Sequence, residues 1–297
     1  MATTKKVVRV GSSGGGDAPQ RTTKFTPTAE AKSKATKLRI FAVICWVIAI
    51  AAEIGAIYIL LNQVQPVQEI KAVAAVQAVD GDAAAVDSEE APAGALTAKE
   101  QSQKRSSSFM TCMIILIVID MLFVILGSVL FWKKANRLDP ASEKDKVRFF
   151  LQNQLGVIVA IIAFLPLIIL ILTNKDLDDK QKGILGVVAG VALLAAGYFG
   201  IDFNPPSIEK YTAEIEAMEQ LTGANEVFWT KSGSKYHIYQ QCGSINSERT
   251  DTVFAGPLQY AYEQNTAIKP GEGLCGHCRN KRVKEQANEQ LALPDAS

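Results

Sequence analysis

The chain has 297 residues, 48% of them hydrophobic, two histidines and a formal net charge of +1. So balanced a charge gives no general pull toward polyanions, and so few histidines exclude most acid–base enzymes. No Gly-rich phosphate loop and no Ser/His/Asp nucleophile arrangement occurs, and no enzymatic activity is expected.

The apolar residues are concentrated in runs over 40–62, 109–132, 150–173 and 184–201. A helix needs about 20 apolar residues to cross roughly 30 Å of hydrocarbon. All four runs meet that length, the last being the shortest.

Ahead of them, residues 1–38 are basic and rich in Ser, Thr and Gly. With so little apolar content this stretch is expected to be a disordered tail. The first apolar run is too long and too far in for a signal peptide. Lys32, Lys34, Lys37 and Arg39 directly precede it, which places the N-terminus in the cytoplasm.

The segment 63–108 is rich in Ala, Val and Gln, carries Asp80, Asp82, Asp87, Glu89 and Glu90, and reads as an extracytoplasmic low-complexity loop. After span two come Lys133, Lys134, Arg137, Lys144, Lys146 and Arg148, a cytoplasmic loop by the same rule. Within it, Asp139-Pro140 followed by Glu143 reads as a helix start leading into span three, where Pro166 should introduce a kink. The charge-balanced turn 174–183 is compatible with the outside. Span four then returns the chain to the cytoplasm, so both termini are expected there.

Glu53 in span one and Asp120 in span two are intramembrane acids with no Lys or Arg in the apolar cores to pair with them. By helical rise their depths differ by roughly one to two turns. They can share a proton or bind a cation, or each can simply hydrogen-bond to a neighbouring backbone or hydroxyl group. Gly186 and Gly190 in span four permit close helix contact, within the bundle or in a homo-oligomer. Cys45 and Cys112 read as small apolar residues.

Asn204-Pro205-Pro206 breaks the chain, and a linker helix is expected within 203–223, ended by Gly223. Its stripe of Ile208, Tyr211, Ile215 and Met218 fits packing onto its own domain or, through 207–221, a short coiled-coil seam. Beyond it, Val227–Thr230 and Lys235–Tyr239 read as strands of a hairpin across the turn Ser232–Ser234. Gln259–Gln264 reads as helical, and Pro270-Gly271-Glu-Gly273 as a turn.

This region, 224–284, carries His237, Cys242, Cys275 and Cys278. Zinc favours four tetrahedral ligands from thiolate and imidazole, and a Cys-x-x-Cys turn supplies two of them. Thiols in a reducing compartment persist as metal ligands. His277, inside the Cys-x-x-Cys turn, is the alternative nitrogen donor.

The pattern Phe228-Trp229-Thr230-Lys231-Ser232-Gly233-x-Lys235-Tyr236-His237-x₄-Cys242, with Cys275-x-x-Cys278 after it, resembles Ada-type metal-binding domains. It looks especially like the Tyr-His-Cys…Cys-x-x-Cys variant appended to various bacterial proteins. The likeness covers 226–283, and the four-span portion resembles uncharacterised bacterial membrane proteins. It implies zinc binding and a small α+β fold. In the Ada repair protein the first of four cysteine ligands accepts a methyl group. His237 stands at that position, and an imidazole cannot replace the thiolate, so methyl transfer is not implied.

Arg279, Lys281, Arg282 and Lys284 form a basic run that fits contact with nucleic acid, contact with anionic headgroups, or a solvated face. Residues 285–297 complete a tail. The expected whole is a membrane all-α four-helix bundle plus a small C-terminal α+β zinc-binding domain. It is placed in the bacterial cytoplasmic (inner) membrane, with the lipid bilayer and an unknown cytosolic protein as partners. A cation- or proton-coupled transport protein using Glu53 and Asp120, or a membrane-tethered nucleic-acid binder, are the alternatives.

Overall fold

The computed structural model describes residues 6–11, 24–62 and 93–291. Most of the loop expected over 63–108 and the last residues of the tail lie outside these. The described chain divides into two compact units.

One unit comprises Ile40–Phe131 and Gln154–Asp202. It holds most of α1 (Ala29–Asn62), α2 (Ala93–Leu126), α4 (Lys146–Thr173) and α5 (Asp179–Gly200). From α2 the chain runs without a break into a π-helical turn, Gly127–Trp132, and then α3 (Lys133–Leu138). Among the described residues, four helical stretches are long and apolar enough to cross a membrane: Ala29–Asn62, Ser106–Leu138, Lys146–Thr173 and Asp179–Gly200. The expected spans end close to these bounds, but the helices start earlier. The reason is that Lys, Ser and Gln continue a helix as readily as Ile and Leu do, so hydropathy marks the apolar part only.

The burial pattern inverts that of a soluble bundle. Ala42, Ala49, Ala56, Ala160, Ala163, Ala189, Ala192 and Ala196 face inward, while Ile44, Val47, Leu122, Ile162 and Leu194 face out. Small residues let helix backbones approach, and large apolar ones suit contact with lipid tails.

Two helix backbones approach closely at Gly156 and Gly200. A Cβ on Gly200 would lie 2.7 Å from the Gly156 carbonyl carbon, and one on Gly156 would lie 2.9 Å from the Gly200 carbonyl oxygen. Gly190, by contrast, has nothing within 4 Å of a built Cβ. The expected Gly186/Gly190 seam is therefore not where these helices meet most closely. Pro166 lies within α4, which continues through it.

The second unit gathers described residues from Met1–Arg39, Trp132–Asn153 and Phe203–Ser297. Its sheet has the order β1-β3-β2, with β1 (Lys6–Arg9) parallel to β3 (Thr252–Gly256), and β2 (Val227–Trp229) antiparallel to β3. Around it lie α6 (Ile208–Thr222), α7 (Leu258–Gln264) and α8 (Gly276–Leu291). Tyr211, Ile215 and Met218 of α6 are buried with Phe25, Trp229, Tyr236 and Tyr262 in one core. The α6 stripe thus packs onto its own domain. Ser207 caps this helix by accepting from the Lys210 amide, and Gly223 ends it in the left-handed conformation at φ 75°.

Three expectations need correction. The stretch 1–38 is ordered where it is described. Val10 donates to the Ala255 carbonyl at 2.8 Å, extending β1 along β3. A side chain at Gly256 would collide with the Val10 carbonyl oxygen, so glycine is what admits this strand. Phe25 stacks on Tyr211 at 4.5 Å, and Thr28 donates to the Glu263 carboxylate at 2.7 Å. A few apolar residues suffice because the core that receives them is supplied by the far end of the chain.

Second, Lys235–Tyr239 forms no full strand, and its antiparallel pairing with β2 is limited to one bridge. It contributes single bridges, Phe228 with His237 and Tyr236 with Leu274, while β3 takes the ladder. Third, α4 starts at Lys146 rather than at Asp139, with Asp145 accepting from the Arg148 amide at 3.2 Å. Asp139 is committed elsewhere. Its carboxylate accepts from Arg39 at 2.8 Å, and its carbonyl accepts from Gln152 at 2.7 Å.

Replacing Gly200 or Gly156 by alanine puts a methyl group against backbone and should cost about 1–3 kcal/mol. Gly190→Ala should be neutral or slightly stabilising, since alanine is the better helix former. Thermal unfolding of the full chain in detergent checks this ranking, and the reverse order contradicts it.

Candidate metal centre

The four ligand candidates arrive on separate pieces of backbone, each fixed by its own hydrogen bonds. His237 is paired to β2 through both of its main-chain groups, exchanging bonds of 2.7 Å with Phe228. Cys242 heads a turn in which its carbonyl accepts from the Ile245 and Asn246 amides, both at 3.1 Å. Cys275 donates to the Tyr236 carbonyl at 2.9 Å, one residue from His237. Cys278 lies in the first turn of α8, which begins at Gly276.

Glycine makes the crossing possible. The Tyr236 amide donates to the Gly273 carbonyl at 2.8 Å, and a Cβ on Gly273 would come within 2.8 Å of the Tyr236 ring. Gly271 turns the chain at φ 81° to deliver this segment. Tyr236 itself is buried, and its hydroxyl donates to Glu214 at 2.9 Å. Burial, then the Glu214 carboxylate, hold that phenol far above its ordinary range.

The result is a cluster. One donor atom from each of His237, Cys242, Cys275 and Cys278 lies within 4.8 Å of all the others. Cys278 Sγ is 3.7 Å from His237 Nδ1. Bonds of about 2.3 Å to sulfur and about 2.0 Å to nitrogen, set tetrahedrally, put neighbouring donors roughly 3.5–3.8 Å apart. The quartet therefore fits one ion of that size and preference. His237, Cys275 and Cys278 are 6%, 5% and 1% exposed, while Cys242 is only half-buried. His277, the alternative nitrogen donor, is exposed and outside the cluster.

Electrostatics point the same way. Burial, then the nearby His277, lower the His237 imidazole, leaving it neutral as a metal requires. Burial pushes the Cys278 thiol up to about 12, with Cys242 adding to it. Burial also opposes ionisation of Cys242, but bonds from the Ser244 backbone, from Cys278, from the Ser244 hydroxyl and from Cys275 outweigh it and hold that thiol low. A buried thiol at 12 becomes a thiolate at neutral pH only beside a strong positive charge.

The basic run beside the quartet is partly spent inside the unit. Arg282 donates to the Leu221 carbonyl at 2.7 Å and to Glu289 at 3.2 Å. The Lys281 ammonium lies 4.3 Å from the centre of the Tyr239 ring and 3.8 Å from Glu285. Because α8 extends to Leu291, acids beyond the run reach back to it, which inspection of 279–284 alone missed. Arg279 and Lys284 are exposed.

Glu53 and Asp120, the two acids of the apolar helices, belong to the other unit. Glu53 is 5% exposed and Asp120 is 1% exposed, and they are close enough to interact electrostatically. Glu53 Oε1 and both Asp120 carboxylate oxygens have no hydrogen-bond partner. The expected neighbourly hydroxyl or carbonyl is thus not bonded to Asp120. Cys45 is buried and Cys112 exposed on these helices.

No protein-family model, curated protein or solved structure matches this chain. The likeness to Ada-type domains rests on the quoted motif.

Acid should empty the centre. His237 sits below the ordinary imidazole value of about 6.5, so the unfolded state takes up more protons as pH falls and stability drops with it. Metal bound by the full chain, measured after equilibration across pH 8 to 5, should decline as pH passes below about 6.5. Retention unchanged at pH 5 contradicts the assignment.

Proposed function

We propose that the chain is a non-enzymatic multi-pass protein of the bacterial cytoplasmic membrane. Its four apolar helices anchor a cytosolic module, stapled by one zinc ion, that engages a cytosolic protein partner. The observation that carries this reading is the quartet, whose three thiols and one imidazole converge from distant points of the sequence. Zinc suits that donor set better than the harder cations, which prefer oxygen. All four positions being filled by protein leaves none open for substrate, which favours a structural role.

A second observation supports the topology. The two segments assigned to the cytoplasm by their Lys and Arg residues, and the C-terminal one assigned there by the number of spans, are the ones that gather into a single unit. An even number of crossings leaves both chain ends on one side, where they can pair as β1 and β3 do. The Tyr236-His237 pair then has a divided task, with Tyr236 filling the core and His237 facing the ion.

Structural zinc in small modules supplies on the order of 10 kcal/mol of folding free energy. The double variant Cys275→Ser, Cys278→Ser should lose about one equivalent of zinc per chain and melt the tail while membrane insertion persists. Elemental analysis of the purified full chain, with protease mapping of the variant, reads both. Wild-type protein free of zinc refutes the reading.

A second reading, cation- or proton-coupled transport, draws on the unpartnered oxygens of Glu53 and Asp120. In proteoliposomes it requires a flux that Asp120→Asn abolishes, and unchanged flux removes it.

A further inference from the structure

The four ligands are unequally protected. His237, Cys275 and Cys278 are buried, and Cys242 is not. Cys242 opens onto a cavity of about 400 Å³, which Cys278 also lines. Ser244 and Gln241 form part of its wall, and Lys281 and His277, both exposed, stand beside it. These polar side chains suit the entry of water and small polar oxidants. Of the cluster's thiols, Cys242 and Cys278 line this cavity, and Cys242 is the one that is not buried.

On the reading that the quartet holds zinc, we infer that Cys242 is a modification site at which hydrogen peroxide opens the centre, with Cys278 as the resolving thiol. The Cys242 sulfur attacks one peroxide oxygen. The O–O bond breaks, hydroxide leaves, and Cys242 becomes a sulfenic acid. The Cys278 sulfur then attacks the Cys242 sulfur, the S–O bond breaks, a second hydroxide leaves, and a disulfide forms. Two thiolates lose two electrons in total, and one peroxide is reduced to two hydroxides. Two of the four donors are consumed, so the ion is released. The cluster's donor atoms already lie within 4.8 Å of one another, so the two sulfurs are near each other before the reaction.

Gly243 offers a control that leaves the ligands alone. Gly243 lines the cavity and nothing lies within 4 Å of a Cβ built there, so a large side chain at 243 can be added at the cavity wall without a clash at its Cβ. The experiment uses the full chain in detergent. Zinc content is measured first. The protein is then treated with one equivalent of hydrogen peroxide, zinc release is followed with a chromogenic chelator, and thiols are mapped by mass spectrometry.

The expected result is release of bound zinc in step with a Cys242–Cys278 disulfide, slowed about tenfold or more in Gly243→Phe at unchanged starting zinc. Dithiothreitol should restore zinc binding. A chain that purifies without zinc overturns the metal reading, and this inference with it. A zinc-loaded chain overturns this inference alone if Cys275 is oxidised first, if zinc leaves without a disulfide at Cys242, or if Gly243→Phe reacts at the wild-type rate.

Discussion

Three sulfurs and one imidazole nitrogen held within 4.8 Å of one another constitute the constraint on which the C-terminal half depends. Left as thiols they are weak hydrogen-bonding groups in a tight space, and as thiolates they repel. A cation reverses both problems, since it makes the thiolate the favoured form and attracts all four donors. The surrounding secondary structure is slight. β2 has three residues, β3 has five, and the segment bearing His237 is held by single bridges. Sheets so short do not hold their register alone, so the donor cluster and the aromatic core beneath it must do so together.

That core is assembled from distant parts of the chain. Phe25 precedes the first apolar helix, Tyr211 follows the last, and Tyr262 comes from α7; Tyr211 stacks on the first and meets the last edge-on, each at 4.5 Å. The Tyr211 hydroxyl donates to the Arg137 carbonyl at 3.2 Å, bringing in the interhelical segment. Nearby, Arg39 bonds both the carboxylate and the carbonyl of Asp139. A bidentate arginine of this kind fixes the angle between two segments as well as their distance. These bonds gather the N-terminal, interhelical and C-terminal segments into one unit.

Much of this was legible in the sequence, and the rest was not for identifiable reasons. Long apolar runs announce spans because hydropathy is a local property. The quartet was readable because a Cys-x-x-Cys turn and a His-x₄-Cys segment have a spacing set by local backbone. The sheet was not. β3 is Thr252-Val-Phe-Ala-Gly256, too short to show alternation, and its partner β1 lies about 250 residues earlier in a basic stretch whose average composition reads as disorder. Strand pairing over such separation leaves no local trace. Likewise Gly186-x-x-x-Gly190 advertises a contact by pattern, whereas Gly156 and Gly200 make it without any pattern, being on different helices. Asp139 has the form of a helix start, and only its arginine partner reveals the other use.

Hydrogen exchange on the full chain in detergent, with and without a zinc chelator, tests the account most directly. Chelation should raise exchange across 227–278 and also in Lys6–Arg9, because the backbone of β1 pairs with β3, while α4 and α5 stay protected. Unchanged protection of 227–278 after the metal has been stripped would contradict the dependence of the module on its four donors.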